Sequence, residues 1–124
     1  MATREQGYVP GRHKIDDYGG GGFRFADMSH KGSILATPKG VRAIALTSAA
    51  DIDEAAIAMA LEAGPIDLLI LGTGADLVPL PAALRAKLRA AGVGCESMST
   101  GAAVRTYNLL VDENRSVAAL LLAT

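Results

Sequence analysis

Hydrophobic and polar positions along the chain follow two rhythms, and the change between them falls at Gly40. Before it, apolar residues come in short stretches. Ile15 to Tyr18, Phe23-Arg24-Phe25-Ala26 and Ser33-Ile34-Leu35-Ala36 read as three short strands, the second by its alternation. Gly19-Gly20-Gly21-Gly22 predicts a flexible loop, because four glycines lose too much backbone entropy to order as a regular element. Asp27 to Lys31 predicts a polar turn, and Pro38-Lys39-Gly40 carries strong turn chemistry. Residues 1–14 mix charge, Gly and Pro without periodicity and read as a flexible N-terminal arm, which leaves 15–124 as a single α/β domain. Short antiparallel strands are therefore expected in the first third.

After Gly40, apolar runs alternate with a helical period. Val41 to Leu46 predicts a strand. Asp51 to Glu62 predicts a helix, with Ile52, Ala55, Ala56, Met59 and Ala60 recurring at three and four. Asp51, Asp53 and Glu54 suit its positive first turn, and Gly64-Pro65 stops it. Within Pro65 to Gly74 the unbroken apolar run Leu68 to Leu71 predicts a strand buried on both faces that ends in a glycine turn. Pro81 to Ala91 predicts a second helix, stopped by Gly92, and Val93 to Met98 another strand. Thr100 is the expected N-cap of a third helix reaching about Asp112. A polar turn and a last strand, Val117 to Leu122, follow. Strands alternating with helices predict a largely parallel sheet with right-handed crossovers, and such sheets take ligands beyond the carboxyl ends of their strands.

Composition narrows the function. A chain of 124 residues, half of them hydrophobic, fits one domain that buries a core without staples. Twelve basic against thirteen acidic side chains leave a net charge of -1, so no nucleic-acid partner is expected. One cysteine, Cys95, rules out an intrachain disulfide and suits a reducing compartment. The polar start, Met1 to Gln6, is followed by no signal-like run, and the apolar runs are too short to span a bilayer; a cytoplasmic protein without a transmembrane segment is expected. His13 and His30 have no cysteine or carboxylate cluster at metal-ligand spacing, so neither metal nor cofactor is expected.

Three features hold candidate chemistry. Gly72-Thr73-Gly74 ends the buried strand and reads either as a nest for an anion or as a turn that needs glycine. The dinucleotide fingerprint fails, since Leu77 stands where a third glycine belongs, and no Walker lysine follows. Cys95 lies mid-strand with no histidine near it in sequence, the pattern of a small core side chain. Glu96, Met98, Thr100, Arg105, Thr106, Tyr107 and Asn108 form the densest polar cluster. Arg105 and Asn108 share a helix face, and Glu96 could pair with Arg105. This cluster is either a polar pocket beside the glycine turn or a salt-bridged junction. Arg85, Lys87 and Arg89 make the second helix basic, ordinarily a solvated face.

The ordered set Leu71-Gly72-Thr73-Gly74, Pro79 or Pro81, Glu96 to Thr100, and Arg105 to Leu110 with Glu113 and Arg115 resembles a small domain-of-unknown-function family. Its eukaryotic relatives include mitochondrial respiratory complex I assembly factor three and the adipogenesis-associated domain protein. The resemblance also takes in Gly32 to Leu35, Pro38 to Gly40 and the last strand. It implies a three-layer α/β fold with a mixed central sheet. It transfers no catalytic residue, and it implies action by binding other proteins, respiratory complex subunits among them. The resulting expectation is a non-enzymatic binding or assembly factor. Its expected surface is Gly72, Thr73, Gly74, Glu96, Arg105, Tyr107 and Asn108. The alternative is a binder of a small anionic ligand, or an enzyme, using the same pocket. A homodimer through an edge strand or apolar helix face is a further expectation.

Overall fold

Gly20 and Gly21, in the middle of the glycine run, both take positive φ (61° and 82°), and Gly19 pairs with Gly22 across them. That is a two-residue hairpin loop of the kind that requires left-handed backbone at both positions. The run expected to be a flexible loop is thus a tight turn, tied down further by Gly21 N–H to Thr124 O (2.7 Å). It joins β2 (Asp17–Gly19) to β3 (Gly22–Phe25). Ala26 and Asp27 repeat the positive-φ geometry, and β4 (Met28–Lys31) follows, so the polar turn expected at 27–31 is mostly a strand. These three strands form a small antiparallel sheet in the order β2-β3-β4.

The structure, a computed structural model, describes residues 8–124. The first seven residues of the expected arm lie outside the described ones. Tyr8–Pro10, read as part of that arm, forms strand β1 and pairs antiparallel with β6, so the main sheet begins before residue 15. The remaining elements are β5 (Ser33–Ala36), β6 (Gly40–Ile44), α1 (Glu54–Glu62), β7 (Leu68–Gly72), α2 (Ala82–Ala90), β8 (Gly94–Met98), α3 (Thr100–Asp112) and β9 (Val117–Leu121). A short 3-10 turn at Ala49–Asp51 occupies the expected start of the first helix, which instead begins after Asp53. That carboxylate caps it by accepting from Ala56 N. Ser99 rather than Thr100 caps the third helix.

The main sheet has six strands in the order β1-β6-β5-β9-β7-β8. It is mixed: β9-β7-β8 pair in parallel, whereas β1, β6, β5 and β9 pair antiparallel, so the parallel part is narrower than the strand–helix alternation predicts. Alternation along each strand sorts side chains onto two faces. Leu35, Leu69, Leu71 and Leu120 pack under α1 and α2 with Ile57, Ala60, Leu84 and Leu88. Ile34, Ile70, Ala119 and Leu121 pack under α3, through Ala103, Val104 and Tyr107, and under Phe23 and Phe25 of the small sheet. The result is three layers, with β7 and β9 buried on both sides.

Candidate functional site

The carboxyl ends of β7 and β8 point the same way, but their chains leave on opposite faces of the sheet, one to α2 and the other to α3. This is the switch point at which open α/β sheets usually leave a crevice for ligand. Here it is laced shut. Thr73 N–H donates to Met98 O (2.9 Å), Thr100 N–H to Gly74 O (2.8 Å) and Leu122 N–H to Gly72 O (2.9 Å). The Thr100 hydroxyl accepts from Gly74 N–H (2.9 Å) and donates to Leu122 O (2.7 Å), joining the ends of β7 and β9 to the start of α3. The Thr73 hydroxyl accepts from Val78 N–H (2.9 Å) and lies within reach of Asp76 O (2.7 Å) and Met98 O (3.1 Å).

The glycine turn therefore has a structural cause. A Cβ at Gly72 would stand 3.0 Å from Thr100 Cα and 3.1 Å from Ala103 Cβ, so glycine lets α3 lie directly on β7. Gly74 takes a φ of 100°, which only glycine adopts readily. The Gly74 N–H that an anion would need already bonds Thr100.

The helix residues separate. Tyr107 is fully buried and donates from its hydroxyl to His13 O (3.2 Å). Burial pushes its pKa up to about 12, with the Arg12 charge opposing the rise. Asn108 donates from Nδ2 to Ile15 O (2.7 Å) and accepts at Oδ1 from Ile15 N–H (2.8 Å), imitating a strand partner. The two side chains clamp residues 13–15 onto α3, and Lys14 adds an ion pair with Asp112 at 2.9 Å. Arg105 and Glu96 are exposed, and no ion pair joins them among the described residues. The surface expected from sequence thus divides into a junction of buried Thr73 and Tyr107 with half-buried Asn108, and two solvated charges. Thr100, read as a cap and as one member of the polar cluster, is the central residue of the laced strand ends. Hydroxyl-bearing residues within two positions of two neighbouring strand ends, Thr73 after β7 and Thr100 after β8, are the signal for that role.

Cys95 is half-buried against the α1/α2 core. Burial pushes its thiol up, the Glu96 charge adds to this, and the Arg85 charge opposes it. His13 bonds Pro10 O (2.9 Å) and His30 lies beside Phe25, so neither serves the thiol as a base. Among the described residues no group of three or more His, Cys, Asp or Glu side chains could hold a metal, and no helix is long and apolar enough to cross a membrane.

Open space lies elsewhere. A cleft of about 500 Å³ between α1 and the β1-β6 edge is lined by Tyr8, Thr37, Lys39, Arg42, Met59 and Glu62. It shares Leu35, Ala43 and Met59 with an apolar stretch of about 310 Å³, which includes Ile44, Leu46 and Ala56. Together they form one trough along β6. A separate cleft of about 490 Å³ lies beside Cys95 under Arg85 and Arg89.

The family of proteins of unknown function DUF498/DUF598 matches residues 15–122. An uncharacterised protein of Rhodobacter capsulatus is 44% identical over 122 residues, covering 98% of this chain and 93% of that one. The crystal structure of a protein from Bartonella henselae, described as an outer membrane protein, is 50% identical with a TM-score of 0.86 over 92% of this chain and 97% of that one. A Bordetella pertussis protein described as a Mth938-like domain is 28% identical with a TM-score of 0.77 over 98% and 92% of the two chains. With its laced strand ends, its three layers and these relatives, the chain belongs to the DUF498/DUF598 family of proteins of unknown function.

Proposed function

We propose that this protein works by holding a segment of another polypeptide in the trough along β6, and that it catalyses no reaction there. The observation that carries this reading is the trough itself, an apolar floor that runs into a charged rim. Gly40 to Leu46 at about 3.3 Å per residue gives about 20 Å, the span of about six extended or thirteen helical residues. Ile44, Leu46, Ala56 and Met59 fit apolar side chains, and Lys39 and Arg42 at the rim fit carboxylates. The matching ligand is a segment with apolar residues followed by acidic ones. The resemblance to assembly factors favours the same mode of action, with subunits of respiratory complexes as the partners and the cytoplasm as the place. The laced switch point supports it from the other side, because the anionic-ligand alternative needs donors that Thr73, Gly74 and Thr100 use on one another.

Met59 is only partly buried on α1, where glutamate is well tolerated, so Met59→Glu places a charge in the trough at little cost to the fold. Capture by cross-linking in a bacterium that carries this family should recover a partner with the native chain and lose it with Met59→Glu. Equal recovery by both chains refutes the trough as the docking surface. Normal assembly of respiratory complex I in a deletion strain refutes the assembly role.

A further inference from the structure

Strand β8 is the last of the main sheet. Residues of a strand in a parallel pair alternate between bonding the neighbour and pointing away. Gly94 N–H donates to Asp67 O (2.9 Å) and Met98 O accepts from Thr73 N–H (2.9 Å), so Gly94, Glu96 and Met98 bond towards β7. Cys95 and Ser97 therefore present their N–H and C=O groups at the outer edge. Their register partners, Leu69 and Leu71, lie on the face covered by α1 and α2, so the side chains of Cys95 and Ser97 lie there too.

Over that side of the edge stand Arg85 and Arg89. They line the cleft with Gly92, Val93, Gly94 and Cys95, and no carboxylate lines it. Neither guanidinium has an ion pair or side-chain hydrogen bond among the described residues, and their neighbour Lys87 already holds Glu54 at 2.8 Å. Four residues of helix separate the two arginines by about 6 Å along the axis, and alternate residues of an extended strand lie about 6.6 Å apart. A strand laid against β8 would present every second side chain to both arginines in turn.

We infer that the β8 edge receives an extended acidic segment of a partner protein, with two carboxylates in an acid-x-acid pattern meeting Arg85 and Arg89 while its backbone bonds Cys95 and Ser97. A second copy of this chain does not fit the edge. Two-fold pairing would keep the α2 faces together, setting the arginine pairs of both copies side by side and each Glu96 near its copy on the other face, and like charges across a strand pair repel. The site is separate from the trough along β6, so each can fail without the other.

The test uses the full chain and labelled peptides of about nine residues that alternate Val with Glu, or Val with Lys. Fluorescence anisotropy should show the Glu peptide binding and the Lys peptide not. The Arg85→Glu, Arg89→Glu double variant should lose at least about tenfold in affinity for the Glu peptide and gain binding to the Lys peptide. Leu109→Glu, on the exposed face of α3 away from both sites, should change neither. Hydrogen exchange followed by NMR should show the Cys95 and Ser97 amides slowing only in the complex. Equal affinity for the two peptides overturns the inference. So does charge-dependent binding that leaves those amides exchanging at the free rate, or sedimentation as a dimer with both amides protected without peptide.

Discussion

Thr100→Val tests whether the switch point is closed by design of the sequence. Valine keeps the shape of threonine and replaces the hydroxyl with a methyl group, so the change opens no cavity. Thr100 has no exposed surface, and its hydroxyl serves two partners, Gly74 N–H and Leu122 O. A buried polar group left unpaired costs about 1–3 kcal/mol. Leu122 is 2% exposed, so its carbonyl falls near the top of that range, while the part-exposed Gly74 recovers some of its loss from water. The expected destabilisation is about 2–4 kcal/mol. Thr100→Ser keeps the hydroxyl and loses one methyl group, worth about 1 kcal/mol.

Urea unfolding followed by circular dichroism separates the two. With a slope of about 2 kcal/mol per molar, valine should lower the midpoint by about 1–2 M and serine by about 0.5 M. Added phosphate should protect neither the native chain nor the serine variant, because stabilisation by a ligand requires a site in the folded state. A valine variant as stable as the serine one would refute the reasoning. Gly74 N–H would then be available, and an anion at the glycine turn would again be the better reading.

Gly72→Ala should cost about 1–3 kcal/mol by forcing α3 off β7, measured in the same unfolding assay. Asn108→Ala should speed amide exchange through residues 13–18 in NMR, by releasing the Ile15 backbone from both of its bonds. Tyr107 supplies a pH dependence. Its folded pKa of about 12 lies above the ordinary 10.0, so the neutral phenol is favoured by folding. That contribution is fully present below pH 10 and is lost as pH rises towards 12, at about 1.4 kcal/mol per unit. Thermal melts of Tyr107→Phe between pH 9 and about 11.5 should lack this part of the decline.

The second two-thirds of the chain was legible because local and global preferences agree there. The period of three and four, Gly64-Pro65 and the apolar run into Gly72 each have one structural outcome, and β7, α2, β8, α3 and β9 fall within a few residues of expectation. The first third was harder because its order comes from long-range pairing. Gly20 and Gly21 are ordered by strands on both sides and by Thr124, some hundred positions away. Tyr8–Pro10 has no periodicity of its own and is a strand only because β6 lies beside it. The site divided for a similar reason. Sequence places Tyr107 and Asn108 near Arg105 on one helix, but only the fold shows that residues 13–15 lie against them and take up their hydrogen-bonding groups.

This division bears on where function can sit. A ligand site needs groups whose bonding capacity the fold leaves free. At the strand ends of this sheet the count runs the other way, since Thr73, Gly74, Met98, Thr100 and Leu122 bond one another. Free capacity collects towards the two sides of the sheet instead. On one side it is the trough beside β6, with Lys39 and Arg42 at its rim; on the other it is β8, with Arg85 and Arg89 above the outward groups of Cys95 and Ser97. Both present cations beside extended backbone, although the chain carries a net charge of -1. Carboxylates stand close by as well, Glu62 and Asp53 along the trough and Glu96 on the other face of β8, so it is the local cation pairs and not the net charge that would favour an acidic segment.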